Sequence, residues 1–154
     1  MDQGLLLIII AIGVSLMLAF FVIRELFLKK SKSRPLANVR ILKTEVPKEG
    51  VQVDILKEGT GAGVNAGSKV RVHYTAWLVS GVKVDSSHDR GELFDFTVGR
   101  NEVIPGWEAG MIGMKSGEIR KFTISPENAY GSKGKANVPP NSIIIFEVEL
   151  INLK

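Results

Sequence analysis

Cysteine is absent from the 154-residue chain, and histidine occurs only twice, at His73 and His88. Without cysteine there is no disulfide framework, no thiolate nucleophile and no thiolate metal site, and the redox state of the compartment is left open. The two histidines lie in different segments and supply neither a helical metal pair nor the three or four ligands of a zinc site. Neither a metal nor any other cofactor is expected. A charge field of one sign is missing from most of the chain as well. The net charge is +4, yet residues 51–154 hold 12 Lys and Arg against 12 Asp and Glu, so the excess lies entirely in the first 50 residues. A nucleic-acid binder would carry a basic face on its domain, and nucleic acid is therefore not an expected partner.

Long apolar runs are also scarce, with one exception. Leu5 to Ile23 is uncharged over 19 residues, which at about 1.5 Å per helical residue crosses a hydrocarbon layer of about 30 Å. Only Asp2 and the amino terminus precede it, whereas a cleaved signal peptide would have a basic leader and a shorter apolar core. A single membrane-spanning anchor over residues 1–28 is expected. Arg24, Lys29, Lys30, Lys32, Arg34 and Arg40 follow; basic residues beside a span stay on the cytoplasmic side, so the sequence predicts a single-pass membrane protein whose domain faces the cytoplasm. Residues 29–50 are polar, basic and punctuated by Pro35, Pro47 and Gly50, the composition of a flexible tether.

From Val51 the apolar residues alternate: Val51, Val53, Ile55; then Val70, Val72, Tyr74, Ala76, Leu78; then Phe94, Phe96, Val98. Period two marks half-buried strands. Glu118 to Ser125 and Ile143 to Leu153 read as two more, with one short helix near Trp107 to Met111. The expected domain, residues 51–154, is α+β and predominantly antiparallel, a sheet wrapped over one short helix.

Three chemical motifs fail on context. GAGVNA at residues 61–66 matches a dinucleotide fingerprint, but SKVRVHYTAWL behind it alternates as a strand, and the fingerprint needs a helix whose amino terminus faces the pyrophosphate. Lys69 is two positions beyond Gly67, which is not phosphate-loop spacing. Ser86 and Ser87 adjoin His88 and Asp89, but adjacent residues point in different directions and no oxyanion hole accompanies them. What remains is a concentration of rings near polar hairpins: Tyr74, Phe94, Phe96, Trp107, Phe122, Tyr130 and Phe146.

Four of those rings, Tyr74, Trp107, Tyr130 and Phe146, sit within a series of motifs, VHYT, DSS, EVIPGW, AYG, VPPNS and FEVELI, that runs in that order through residues 72–151. In these motifs and their spacing the domain resembles the FKBP family of macrolide-binding prolyl isomerases. The resemblance implies an FKBP-like half-barrel of five or six antiparallel strands around a short helix, and rotation of X–Pro bonds in proline-containing polypeptide clients. It implies Trp107 as the floor of the proline pocket, with Tyr74, Asp85, Phe94, Tyr130 and Phe146 completing the catalytic group. Val84, Arg90, Val103, Ile104 and Val138 are implied on the substrate-binding side, Ile104 through its N–H and Arg90 as the ion-pair partner of Asp85. Macrolides of the rapamycin class are the implied small ligands, and the membrane the further partner.

Two positions depart from the family pattern. Val84 stands where a phenylalanine usually precedes DSS, and the loop from Gly131 to Val138 is one residue short and carries Lys133 and Lys135. A folding helper acting near the bilayer is the expected function; a catalytically weak, membrane-tethered module that binds proline peptides or macrolides is the alternative.

Overall fold

A computed structural model describes residues 40–154. The strands are β1 (Lys43–Lys48), β2 (Val51–Lys57), β3 (Thr60–Gly63), β4 (Lys69–Leu78), β5 (Lys83–Ser86), β6 (Phe94–Thr97), β7 (Lys115–Ser116), β8 (Ile119–Ile124) and β9 (Ile144–Leu153). Two short helices, α1 (Ser87–Arg90) and α2 (Pro105–Met111), and a 3-10 turn at Pro126–Asn128 interrupt them. Seven strands form one sheet in the order β1-β2-β8-β9-β4-β5, with β6 also on β4, while β3 pairs with β7. All the pairings of the large sheet are antiparallel, and β5 and β6 share one edge of β4, at Thr75–Trp77 and Lys69–Val72 respectively.

The alternation read from the sequence sets which face is buried. Val51 lies opposite Ile124 and Val53 opposite Phe122; Phe122 and Ile124 in turn oppose Phe146 and Ile144, and Phe146 opposes Ala76. One face of the sheet thus carries a continuous apolar layer, and α2 covers it.

A helix of seven residues is far too short to persist on its own propensity, so tertiary contacts must hold α2. Pro105 fits the first turn, where its missing N–H costs nothing. Gly106 and Gly110 let the helix lie directly on β8: a Cβ on Gly106 would come within 2.5 Å of Ile124 Cγ2, and one on Gly110 within 3.0 Å of the Phe122 ring. At the far end, Arg120 Nη1 donates to the carbonyls of Gly110 at 2.8 Å and Ile112 at 3.0 Å. These are carbonyls that a helix end leaves without intrahelical partners, and a cation there also suits the helix dipole. Arg120 is buried on the inner face, and its charge is matched by buried Glu118 at 2.5 Å. Glu118 accepts in addition from the Lys115 N–H at 2.8 Å.

Two features differ from the sequence reading. Lys43–Lys48, placed in the flexible tether, is the edge strand β1. Its residues are mostly exposed, so no alternation announces it; pairing with β2 creates it, reinforced by Thr44 Oγ1 donating to buried Asp54 at 2.8 Å. The short strands β3, β5 and β7 and helix α1 also escape the pattern, because two to four residues are too few to show a period. The anchor expected at residues 5–23 lies outside the described residues, and no helix among the described residues is long and apolar enough to cross a membrane.

Gly106→Ala tests the close approach. The alanine gains about 1 kcal/mol of helix propensity but forces a methyl group against fully buried Ile124, and overpacking costs about 1–3 kcal/mol. A net loss of about 1 kcal/mol, read from the urea midpoint at unchanged slope, is expected; unchanged or higher stability would show that the helix has room to lift.

Candidate active site

Trp107 points from α2 into the concave face, only 3 % exposed. Rings from four strands surround it edge to face. Its centroid is 5.3 Å from Tyr74 on β4 at 88°, 6.2 Å from Phe94 on β6 at 83°, 6.1 Å from Phe122 on β8 at 82° and 5.3 Å from Phe146 on β9 at 90°. Perpendicular rings at these distances are the favourable arrangement of aromatic quadrupoles. They hold the indole as a fixed floor with walls standing upright around it.

Above that floor is a cavity of about 580 Å³, within the range of sites that take a small ligand or a few residues of peptide. Ten of the eleven residues named from the sequence line it: Tyr74, Val84, Asp85, Phe94, Val103, Ile104, Trp107, Tyr130, Val138 and Phe146. The eleventh, Arg90, stands behind the lining, where it ion-pairs with Asp85 and donates to the Tyr74 hydroxyl at 2.9 Å. Sequence reasoning missed Ala76, Glu102, Lys135, Ala136, Asn137 and Ile144, which complete the lining. Ala76 and Ile144 were findable, since each is two residues from a named wall residue on its own strand, and Glu102 opens the EVIPGW stretch directly before Val103.

One wall is polar. The Tyr74 hydroxyl donates to Asp85 Oδ2 at 2.6 Å, and the Ser86 N–H donates to Asp85 Oδ1 at 2.8 Å. Burial opposes ionisation of Asp85, but the hydrogen bonds from Tyr74 and Arg90, with the Arg90 charge, outweigh it and hold the carboxyl below the usual carboxylate range. Burial and the bond to Asp85 push the Tyr74 phenol up. The Tyr130 phenol is raised by burial first and then by the charge of Asp85. Both phenols are therefore neutral donors at physiological pH, and the Tyr74 proton is committed to Asp85.

The serines of the DSS stretch serve the framework. Ser86 caps α1 by accepting from the Asp89 N–H at 3.4 Å. Ser87 is fully buried, accepts from the Tyr74 N–H at 2.8 Å and donates to the Tyr74 carbonyl at 3.2 Å. A serine–histidine contact does exist, between Ser87 and His73 at 2.9 Å, but it lies away from the lining of the cavity. His73 stacks on His88 at 4.1 Å. Ser87 is thus bound into the β4 backbone rather than presented to a substrate.

The family model described as FKBP-type peptidyl-prolyl cis-trans isomerase matches residues 61–151. The chain belongs to this family. It is a peptidyl-prolyl cis-trans isomerase of the FKBP type. It is 47 % identical over 108 residues to FK506-binding protein 1A of Neurospora crassa, covering 69 % of this chain and 90 % of that one. It is 47 % identical over 106 residues to FK506-binding protein 1 of Dictyostelium discoideum, covering 68 % and 99 %. Among solved structures, AtFKBP13 superposes with a TM-score of 0.67 at 31 % identity, over 73 % of this chain and 99 % of the other.

In this FKBP-type domain the linkage between Asp85 and pH has a definite sign. A carboxyl depressed by folding stabilises the native state above its unfolded pKa of about 4 and ceases to do so as pH falls through its folded value. Asp85→Asn is therefore expected to lower the urea midpoint at pH 7, and the gap from the parent protein should close as pH drops below about 4 and through the depressed folded value. A gap independent of pH would mean that the Asp85 charge contributes nothing to the network.

Proposed function

We propose that the cavity over Trp107 is where the X–Pro bond rotates. The observation that carries this reading is the indole floor bounded by perpendicular rings, with one ionised, hydrogen-bonded carboxylate in the wall. The rotational barrier is about 18–20 kcal/mol and comes from amide resonance. No bond to carbon is broken, so a nucleophile is unnecessary. The planar amide has the larger dipole and is the better solvated form; moving it into an apolar cavity raises it more than the twisted transition state. In this reading the pyrrolidine ring rests on Trp107, while Tyr74, Phe94 and Phe146 exclude water from the sides. The N–H of Ile104 and the Tyr130 phenol hold substrate carbonyls, and Val103 and Val138 close the mouth. Tyr74 contributes its ring, since its proton is held by Asp85, and Arg90 keeps Asp85 ionised.

Val84 is the weak wall. It lines the cavity half-buried, about four carbons shorter than phenylalanine, each worth about 0.8 kcal/mol when buried. Half of that contact is about a tenfold effect on rate. Macrolides of the rapamycin class are proposed to occupy the same cavity.

We further propose that the domain works beside a bilayer, on clients that are themselves at the membrane, with residues 5–23 as the anchor and the basic residues behind them placing the domain on the cytoplasmic side. The uncharged run and its flanks support this, and confinement at a surface raises effective concentration.

X–Pro exchange spectroscopy on a short peptide tests the site. The protein is expected to accelerate exchange, a rapamycin-class ligand to abolish the acceleration, and Val84→Phe to raise kcat/KM about tenfold. Acceleration that survives saturating ligand would move the reaction away from this cavity. For topology, Lys154→Cys in intact cells should resist an impermeant thiol reagent until the membrane is opened; immediate labelling would reverse the proposed orientation.

A further inference from the structure

One charged side chain of the cavity has no role in the site as described. Lys135 is part of the lining, in the loop between the 3-10 turn and β9. Its backbone is fixed: the Lys135 N–H donates to the Val138 carbonyl at 3.0 Å, and the Val138 N–H donates to the Lys135 carbonyl at 2.8 Å. These bonds close a two-residue turn in which Ala136 has φ +45°, the left-handed conformation that such tight turns require. Just before it, Gly134 at φ +66° packs so tightly that a Cβ would lie 2.5 Å from the Val138 carbonyl oxygen. The loop therefore presents Lys135 from a defined base, and its ammonium lies 5.5 Å from the centroid of the Tyr130 ring, within cation–π range.

The charges around the cavity are unevenly matched. Asp85 is paired with Arg90. Glu102 has its carboxylate anchored by the Thr97 N–H at 2.9 Å. Neither Lys135 nor its loop neighbour Lys133 has a carboxylate partner among the described residues. Of the charged residues in the lining, Asp85 is matched by Arg90, Glu102 keeps its charge with a backbone N–H as partner, and Lys135 enters from the Tyr130 side as a cation with no carboxylate partner.

We propose that Lys135 is a specificity-determining residue of this isomerase, favouring substrates with a carboxylate side chain on the residue immediately before the proline. The proposal rests on the reading of the Trp107 cavity as the reaction site. With the pyrrolidine on Trp107, the acyl residue is the part that swings as the bond turns, and it does so at the mouth where Tyr130 and Lys135 stand. An acidic side chain there meets the Lys135 cation beside the Tyr130 ring, and a basic one meets a like charge.

The test uses the full chain in mild detergent and three peptides, Ala-Xaa-Pro-Phe with Xaa as Glu, Gln or Lys, each rate taken relative to the uncatalysed exchange of the same peptide. At low salt, kcat/KM for the Glu peptide is expected to exceed that for the Lys peptide about fivefold, the size of partly exposed ion pairs. The ratio should shrink toward one at about 1 M salt, where the screening length is about 3 Å. Lys135→Gln should narrow the ratio and Lys135→Glu should reverse it. Equal rates for the two charged peptides in the parent protein, or an order unchanged in Lys135→Glu, would overturn the proposal while leaving the site reading intact. The Gln peptide reports on the site separately: if its acceleration persists with a rapamycin-class macrolide bound, the reading of the cavity falls and the proposal with it.

Discussion

The closeness with which α2 lies on β8 is the constraint from which the cavity follows. Two glycines one helical turn apart remove the side chains that would hold the helix off the sheet, and Ile124 and Phe122 fill the space they leave. Because the helix sits this low, the residue between them, Trp107, is driven into the concave face, where rings from four strands meet it edge-on. A helix standing even a methyl group higher would lift the indole out of that frame and open the floor to water. Arg120 completes the seat by binding the carbonyls at the helix end, and it is tolerable in the core only because Glu118 matches its charge there.

The polar wall is built by a second set of local contacts. Ser87 locks the start of α1 to the backbone of β4 at Tyr74. The same turn brings Arg90 back over Tyr74 and against Asp85. A carboxylate beside an apolar cavity would ordinarily be driven toward its neutral form; here a cation and a phenol keep it charged. The result is a wall in which Asp85, Tyr74 and Arg90 are already satisfied by one another, which suits a reaction driven by desolvation and shape rather than by proton transfer or covalent attack.

The fold was legible where strands were long enough to alternate. β2, β4, β8 and β9 show period two over six to ten residues, and these are the strands that carry the inner face. β1 was not legible, because an exposed edge strand has no buried side to pattern; its existence depends on hydrogen bonds to β2. Around the cavity, the residues named from motif resemblance prove to be gathered in one place, but the pattern of residues alone left each ring open between packing and pocket. Phe96 and Phe122 illustrate why: both touch Trp107, yet both lie on the core side of it, outside the lining. Glu102 and Lys135 reach the lining from loops, where no periodicity reports direction.

The sequence by itself determined the class of the domain, its electrical neutrality, the basic segment ahead of it and the unavailability of thiol chemistry. These are properties of composition and of short-range order, and they do not depend on how distant segments meet. Only the tertiary structure decided that Ser87 supports β4 instead of acting as a nucleophile, that Arg120 is an internal clamp instead of a surface charge, and that Lys135 stands at the mouth of the cavity. Each of those roles depends on a contact between segments that the chain order keeps apart, and such contacts are fixed by strand register and helix seating rather than by any residue's immediate neighbours.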